Sequence, residues 1–256
     1  MEQIEINLLQ YIHFFFYRLG GSMFIKEYEI KVVLPKEIYK RFKMGTIAYL
    51  DIEATGFDFE YDKIVLISLG YYLNEEEFKV IQYFAETPYE EESILKELKK
   101  AMGNFKTWCS YNGTAFDEPF VIRKMNKYNL HFRLPGEHVD LFRIIRPFHK
   151  RMGMKGCSLK NVEQFTGIYR KDEISGARSV EIYNEYLVKH DEKLREILML
   201  HNYEDVANLP KIFKVINTIE NDLDVKRKEK LAKKQMSLLK SNRNTNEPLK
   251  MANTQP

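Results

Sequence analysis

Residues that staple or clip small scaffolds are scarce in this sequence. Its 256 residues include two cysteines, Cys109 and Cys157. Two thiols cannot build a disulfide framework, and neither stands in a C-x-x-C pair with histidines at zinc spacing. They read as small packed side chains in a reducing cytoplasm. Long apolar runs are missing as well. Residues 8–19, LLQYIHFFFYRL, are interrupted by His13 and Arg18 and fall short of the roughly 20 residues that a spanning helix needs. A secretory signal opens on basic residues, whereas this segment follows Glu2 and Glu5. No internal repeat is present. A disulfide miniprotein, a zinc module and a membrane protein are thereby excluded. What remains is one sizeable α/β domain with appendages in the cytoplasm.

Charge is unevenly spread. The overall balance is +3, but residues 225–256 hold nine Lys/Arg against Glu229 and Glu247, a net +7, so residues 1–224 carry −4. An acidic body with a basic tail suits a protein whose carboxylates recruit divalent cations, and it is not what a passive nucleic-acid binder shows. Three segments are expected. Residues 1–22 read as a poorly packed extension outside the natural product, because Gly20-Gly21 just before Met23 resembles a translated ribosome-binding site. Intact mass of the native gene product tests a start at Met23. Residues 23–220 hold the domain. Residues 221–256 are polar, Asn/Lys-rich and expected to be disordered.

The apolar run Ile47–Ile52 reads as a buried strand. Ile64–Tyr72 and Phe78–Phe84 read as two more, joined by a turn at Asn74–Glu77. Glu90–Met102 is an amphipathic helix with acids in its first turn and lysines in its last. A strand at Thr107–Tyr111, a helix at Ala115–Tyr128, a strand at His138–Leu141 and a helix over Leu141–Arg151 follow. Helices capped by Ser158 and spanning Glu181–Lys189 and Leu194–Thr218 complete the chain. This order predicts an α/β fold, a mixed five-stranded sheet flanked by helices.

Three motifs carry chemistry. In Asp51-Ile52-Glu53 the acids sit at i and i+2 of a strand, on one face, after the apolar Ile47-Ala48-Tyr49-Leu50. Buried carboxylates there are costly unless a cation neutralises them. The next residues, Ala54-Thr55-Gly56-Phe57, supply a tight turn and an aromatic able to stack on a base. In Tyr111-Asn112-Gly113-Thr114-Ala115-Phe116-Asp117 an acid opens a helix. Alone, Asp117 and Glu118 would do no more than complement the helix dipole. In Leu200-His201-Asn202-Tyr203-Glu204-Asp205, His201 and Asp205 are one turn apart on a single helical face. A lone pair of this kind is as easily a surface ion pair.

Taken together and in order, separated by 66 and 88 residues from Asp51 to Asp117 and on to Asp205, the three motifs resemble those of the DEDD (DnaQ-like) 3′–5′ exonuclease superfamily. Tyr49–Glu53, Asp172-Glu173-Ile174-Ser175-Gly176 and His201-Asn202-x-x-Asp205-Val206 are most similar to its YprB-like, ribonuclease-H-like family, over about residues 24–215. The third motif departs from both usual forms. One subclass places Tyr four residues before the Asp and the other His five before; here His201 stands at four and Leu200 at five.

The resemblance implies a ribonuclease-H-like fold and a 3′–5′ exonuclease that hydrolyses single-stranded nucleic acid at its 3′ end. It implies two cations, Mg2+ or Mn2+, held by Asp51, Glu53, Asp117 and Asp205, in a two-metal hydrolysis. His201 would orient or deprotonate the water. Thr55, Gly56, Phe57, Asn112 and Phe116 would contact substrate, with Phe57 stacking and Asn112 hydrogen-bonding the terminal nucleotide. The basic tail would add salt-sensitive phosphate affinity. A ribonuclease-H-type endonuclease and a non-catalytic nucleic-acid-binding module of the same fold are the competing readings.

Overall fold

The structure, a computed structural model, describes residues 13–19 and 23–244, and the side chains of 23–231 and 233. Among the described residues, strands β1 (His13–Leu19), β2 (Met23–Lys31), β3 (Ile47–Ala54), β4 (Ile64–Tyr72), β5 (Glu77–Ala85), β6 (Thr107–Ser110) and β7 (Glu137–Asp140) form one sheet. Its order is β1-β2-β5-β4-β3-β6-β7. β3, β4 and β5 are an antiparallel meander, while β6 and β7 run parallel to β3 on its other side. β3 to β7 are thus the expected mixed five-stranded sheet. β2 and then β1 extend it antiparallel beyond β5. The segment expected as a loose extension therefore contributes an edge strand, and a natural start at Met23 would leave β2 as the edge.

The helices are α1 (Lys36–Arg41), α2 (Glu91–Met102), α3 (Asp117–Lys127), α4 (Leu141–Ile145), α5 (Leu159–Phe165), α6 (Gly176–Lys189), α7 (Glu192–Ala207) and α8 (Leu209–Asn244). Two expected helices are shorter. α4 stops at Ile145; Arg146 keeps helical geometry as its C-cap, and Pro147 has no N–H with which to carry the ladder on. The single helix expected over Leu194–Thr218 breaks at Asn208, where Pro210 cannot donate to the preceding turn and starts α8 instead. The expected disorder from residue 221 is also corrected: α8 continues to Asn244. Its Lys- and Leu-rich composition favours helix, and Asp222–Lys226 (3.1 Å) and Asp224–Arg227 (3.4 Å) pair opposite charges one turn apart. Residues 245–256 lie outside the described residues. The chain divides into two units, 1–216 and 217–256. Among the described residues no helix is long and apolar enough to cross a membrane.

Being central, β3 is covered on both faces, which explains its near-continuous apolar composition. Leu50 and Ile52 join Leu95 and Leu98 of α2 and Phe120 and Val121 of α3 in the core. Asp51 and Glu53, on the alternate face, turn toward α7 and α6. α7 lies close to β4 because residue 70 is glycine: a Cβ there would come within 2.6 Å of Val206 and of Phe78. A buried polar line fixes the helix in register. Tyr28 donates to Gln82 (2.9 Å), and Gln82 donates to Ser68 Oγ (2.9 Å) and to the Met199 carbonyl (2.9 Å). Ser68 donates to Asn202. Each member is satisfied, as a buried network must be.

Candidate active site

The last turn of β3, the start of α3 and the middle of α7 open onto one cavity of about 680 Å³. Asp51, Glu53, Asp117, His201 and Asp205 all line it, with Gly56, Phe57, Asn112 and Phe116. Strand period two aims Asp51 and Glu53 the same way, helical period four does the same for His201 and Asp205, and α3 brings Asp117 across. The structure therefore places nine of the ten residues expected from sequence at one cavity; the tenth, Thr55, is turned away. Its hydroxyl donates to Asp62 Oδ1 (2.9 Å), and Asp62 Oδ2 accepts from the Asp58 backbone (2.8 Å). Thr55 thus closes the turn after β3. Gly56 is required for the same reason, because the Asp62 carboxylate occupies the space a Cβ would take.

The acids are individually held. Asp51 Oδ2 accepts from Asn202 Nδ2 (2.7 Å), Glu53 Oε2 from Ser179 Oγ (2.5 Å) and Asp117 Oδ1 from the Ile52 backbone (3.1 Å). Among the described residues no lysine or arginine pairs with any of the three. Burial pushes Asp51 well above the usual carboxylate range, and the charges of Asp205, Asp117 and Glu53 add to it. Burial raises Glu53 to about 7 against the opposing charge of His201, and raises Asp117 to about 7 against its backbone hydrogen bonds. Three carboxylates that resist ionisation in one cavity mark a place where positive charge is lacking.

His201 links this group to a second one. Its Nδ1 is 2.8 Å from Asp172 Oδ2. Nε2 faces the cavity, 3.6 Å from Glu53 Oε1 and 3.5 Å from Asp205 Oδ2. Burial works against protonation, but the bond to Asp172 and the nearby acids outweigh it and raise the imidazole above its ordinary value. Asp172 in turn is held low despite its burial, by His201, the Ile174 backbone and Lys160. Glu53, His201 and Asp205 also bring one ligand atom each within 4.8 Å of one another, a group able to hold a metal ion.

Behind Asp205 sits Arg170. Its buried guanidinium pairs with Asp205, with Asp172 (2.9 Å) and with Glu163 (3.2 Å), and lies 3.5 Å from Glu204. It also donates to the His201 carbonyl (3.1 Å). Sequence reasoning missed Arg170, Ser179 and Asn202 in these roles and quoted Asp172 without one. Asn202 had a signal, since it adjoins His201 on α7. Arg170 had none beyond lying two residues before Asp172. A further hidden holder is Asp140. It accepts from the backbone of Asn112 (2.9 Å) and from the Thr114 hydroxyl (2.7 Å), fixing the loop before α3 with Asn112 at φ 65°.

The arrangement can hold cations against carboxylates, present an oriented imidazole to a bound water, and pack a ring or base against Phe57 and Phe116, whose centroids are 5.8 Å apart. No curated protein matches the sequence significantly. A solved structure of exonuclease I, reported as suggesting how processivity is achieved, is similar at 13% identity and a TM-score of 0.40, over 67% of this chain. This chain spans 43% of that one. The profile of the RNase_H_2 family, described as RNase_H superfamily, matches residues 48–217, which include β3, α3 and α7 and so every carboxylate of the cavity. The chain belongs to the RNase_H superfamily.

Proposed function

We propose that the protein is a metal-dependent nuclease, and specifically a 3′–5′ exonuclease of the YprB-like kind acting in the cytoplasm on single-stranded nucleic acid. Family membership supports a nuclease. The observation that carries the finer reading is the convergence of Asp51, Glu53, Asp117 and Asp205 on one cavity, the first three without a lysine or arginine partner among the described residues. The donor set is all oxygen with one imidazole, which fits Mg2+ or Mn2+ and not a thiolate-type metal. Asp51, Glu53, Asp117 and Asp205 would hold two such ions. Bound there, the ions supply Lewis-acid activation of water and charge stabilisation at the phosphate.

The protein's own part follows from its geometry. Asp172 fixes the His201 ring through Nδ1, so Nε2 is the atom left to take the proton of the attacking water. Arg170 holds Asp205 and Asp172 together, so the acid and the imidazole keep one relative stance. Phe57 and Phe116 offer a wall for the terminal base, with Asn112 at the same end of the cavity. Thr55 does not line it, and its hydroxyl is held by Asp62 in the turn beside it. The basic segment after residue 225 would add sequence-independent phosphate affinity.

One gel tests the reading: 3′- and 5′-labelled DNA and RNA, single- and double-stranded, with Mg2+ or Mn2+. Stepwise release of mononucleotides from 3′ ends is expected, abolished in Asp51→Ala and Asp205→Ala variants that keep their fold. Cleavage of a circular single strand would make it an endonuclease instead. An inert wild type with both metals on every substrate would leave only a binding module.

A further inference from the structure

α7 has two working faces. His201 and Asp205 look into the carboxylate cavity, while Leu200, Tyr203, Glu204 and Ala207 line a second cavity of about 770 Å³. The remaining wall comes from Lys26, Tyr28 and Ile30 on alternate positions of β2, from Thr166–Tyr169 and Lys171, and from Lys211 and Lys214 of α8. Its size is that of a small-molecule site.

Its charge is opposite to that of the first cavity. Four lysines, Lys26, Lys171, Lys211 and Lys214, face two glutamates. Both glutamates are already engaged. Glu196 pairs with Lys26 at 2.6 Å, and Glu204 accepts the backbone N–H groups of Lys171 and Asp172, each at 3.0 Å. Lys211 donates to Asn208 Oδ1 at 2.9 Å, and burial makes its ammonium harder to keep charged, an effect that Glu163 and Glu204 oppose without cancelling and Lys214 reinforces. An anion entering here would relieve that penalty on Lys211. Aromatic surface adjoins them: Tyr28 and Tyr203 lie with ring centroids 4.3 Å apart, and Tyr169 at the rim is 85% exposed. An exposed tyrosine beside excess ammonium charge is the chemistry that takes a base and its phosphate together.

We propose that this cavity is a nucleotide-binding site separate from the carboxylate cavity, with phosphate on Lys171, Lys211 and Lys214 and the base against Tyr169 and Tyr203. None of these residues lines the first cavity, so the site stands whether or not the chain is an exonuclease. The nucleotide has two sources, a free nucleoside monophosphate or a segment of a strand.

The test uses the full chain in EDTA, where the carboxylate cavity repels phosphate and no strand is cut. AMP and a short oligothymidylate are titrated separately by calorimetry. Tyr169→Ala should weaken binding about tenfold. Lys171→Gln and Lys211→Gln should each flatten the dependence of log affinity on log salt by about 0.7 for the oligonucleotide. Binding of AMP alone assigns the site to free nucleotide, and binding of both probes assigns it to a strand. Lys171 and Tyr169 are exposed, so their variants keep the fold even if Lys211→Gln does not. The proposal is overturned if neither probe binds. It is also overturned if binding is untouched by these variants and lost instead in Lys160→Gln, on the wall of the first cavity.

Discussion

Two groups of buried carboxylates lie side by side in this molecule and share Asp205. In one, Glu163, Asp172, Glu204 and Asp205 surround the guanidinium of Arg170. In the other, Asp51, Glu53 and Asp117 face a cavity and, among the described residues, pair with no lysine or arginine; His201 lies 3.6 Å from Glu53. Burial penalises ionisation in both groups, and partners decide how far that penalty is offset. Glu163 is raised by burial even beside Arg170, and Asp172 is held low, chiefly by His201; Asp51, Glu53 and Asp117 are all driven up. The first group carries its counter-charge in the sequence, and the second is the candidate to take its own from solution. A structural ion cluster and a candidate metal site differ here in whether the cation is covalently part of the chain.

The largest expected effect comes from removing the built-in cation. Arg170→Met would leave Glu163 buried without its main partner and take one cation from Asp172, and breaking a buried pair from one side costs about 3–5 kcal/mol. Thermal melting should show a loss of that order or failure to fold, with no rescue by Mg2+. If the variant melts like wild type, Arg170 is not what organises this group, and the contrast between the two collapses.

Next in size is the link between the groups. Asp172→Asn keeps a side chain of the same shape but removes the charge that fixes His201 Nδ1. Losing such an orienting partner typically costs about 10–100-fold in activity. The loss should appear in kcat and change the pH profile, while stability moves little compared with Arg170→Met. An unchanged pH profile would mean that His201 takes no part in proton transfer.

Much of the second group was legible in the sequence, and little of the first. Asp51 and Glu53 obey the strand period, His201 and Asp205 the helical one, and Asp117 opens a helix, so local periodicity alone aims all of them. Arg170 is one of 40 Lys/Arg in the chain and reaches its partners from a loop, where no period predicts direction. The Thr55 hydroxyl has a partner seven residues on, Asp62, that only the turn geometry reveals. The five core strands were readable from apolar runs and turns. The break at Pro210 was readable too, from a proline inside an otherwise continuous helical pattern. The helix beyond residue 221 was not, since its polar composition fits a solvated helix and a disordered tail equally well.

The smallest effect sharpens the comparison most, because its sign is opposite for Asp172 and for the cavity carboxylates. In the metal-free folded protein Glu53 and Asp117 hold their protons to about pH 7, whereas unfolded carboxyls lose theirs near 4. Between those values the folded state binds more protons, so its stability falls as pH rises. The raised imidazole of His201 acts in the same sense just above its ordinary value. Asp172, held low, acts oppositely, but its contribution is lost only as pH falls below about 4. Melting in EDTA should therefore show Tm declining from about pH 5 to pH 8, and Mg2+ or Mn2+ at pH 8 should restore it. Asp51→Asn removes one of the mutually repelling charges and keeps an oxygen for Asn202 Nδ2, so its Tm at pH 8 in EDTA should match or exceed that of wild type. A wild-type Tm that climbs across this range, or that ignores both metals, would show that Asp51, Glu53 and Asp117 are compensated within the chain after all.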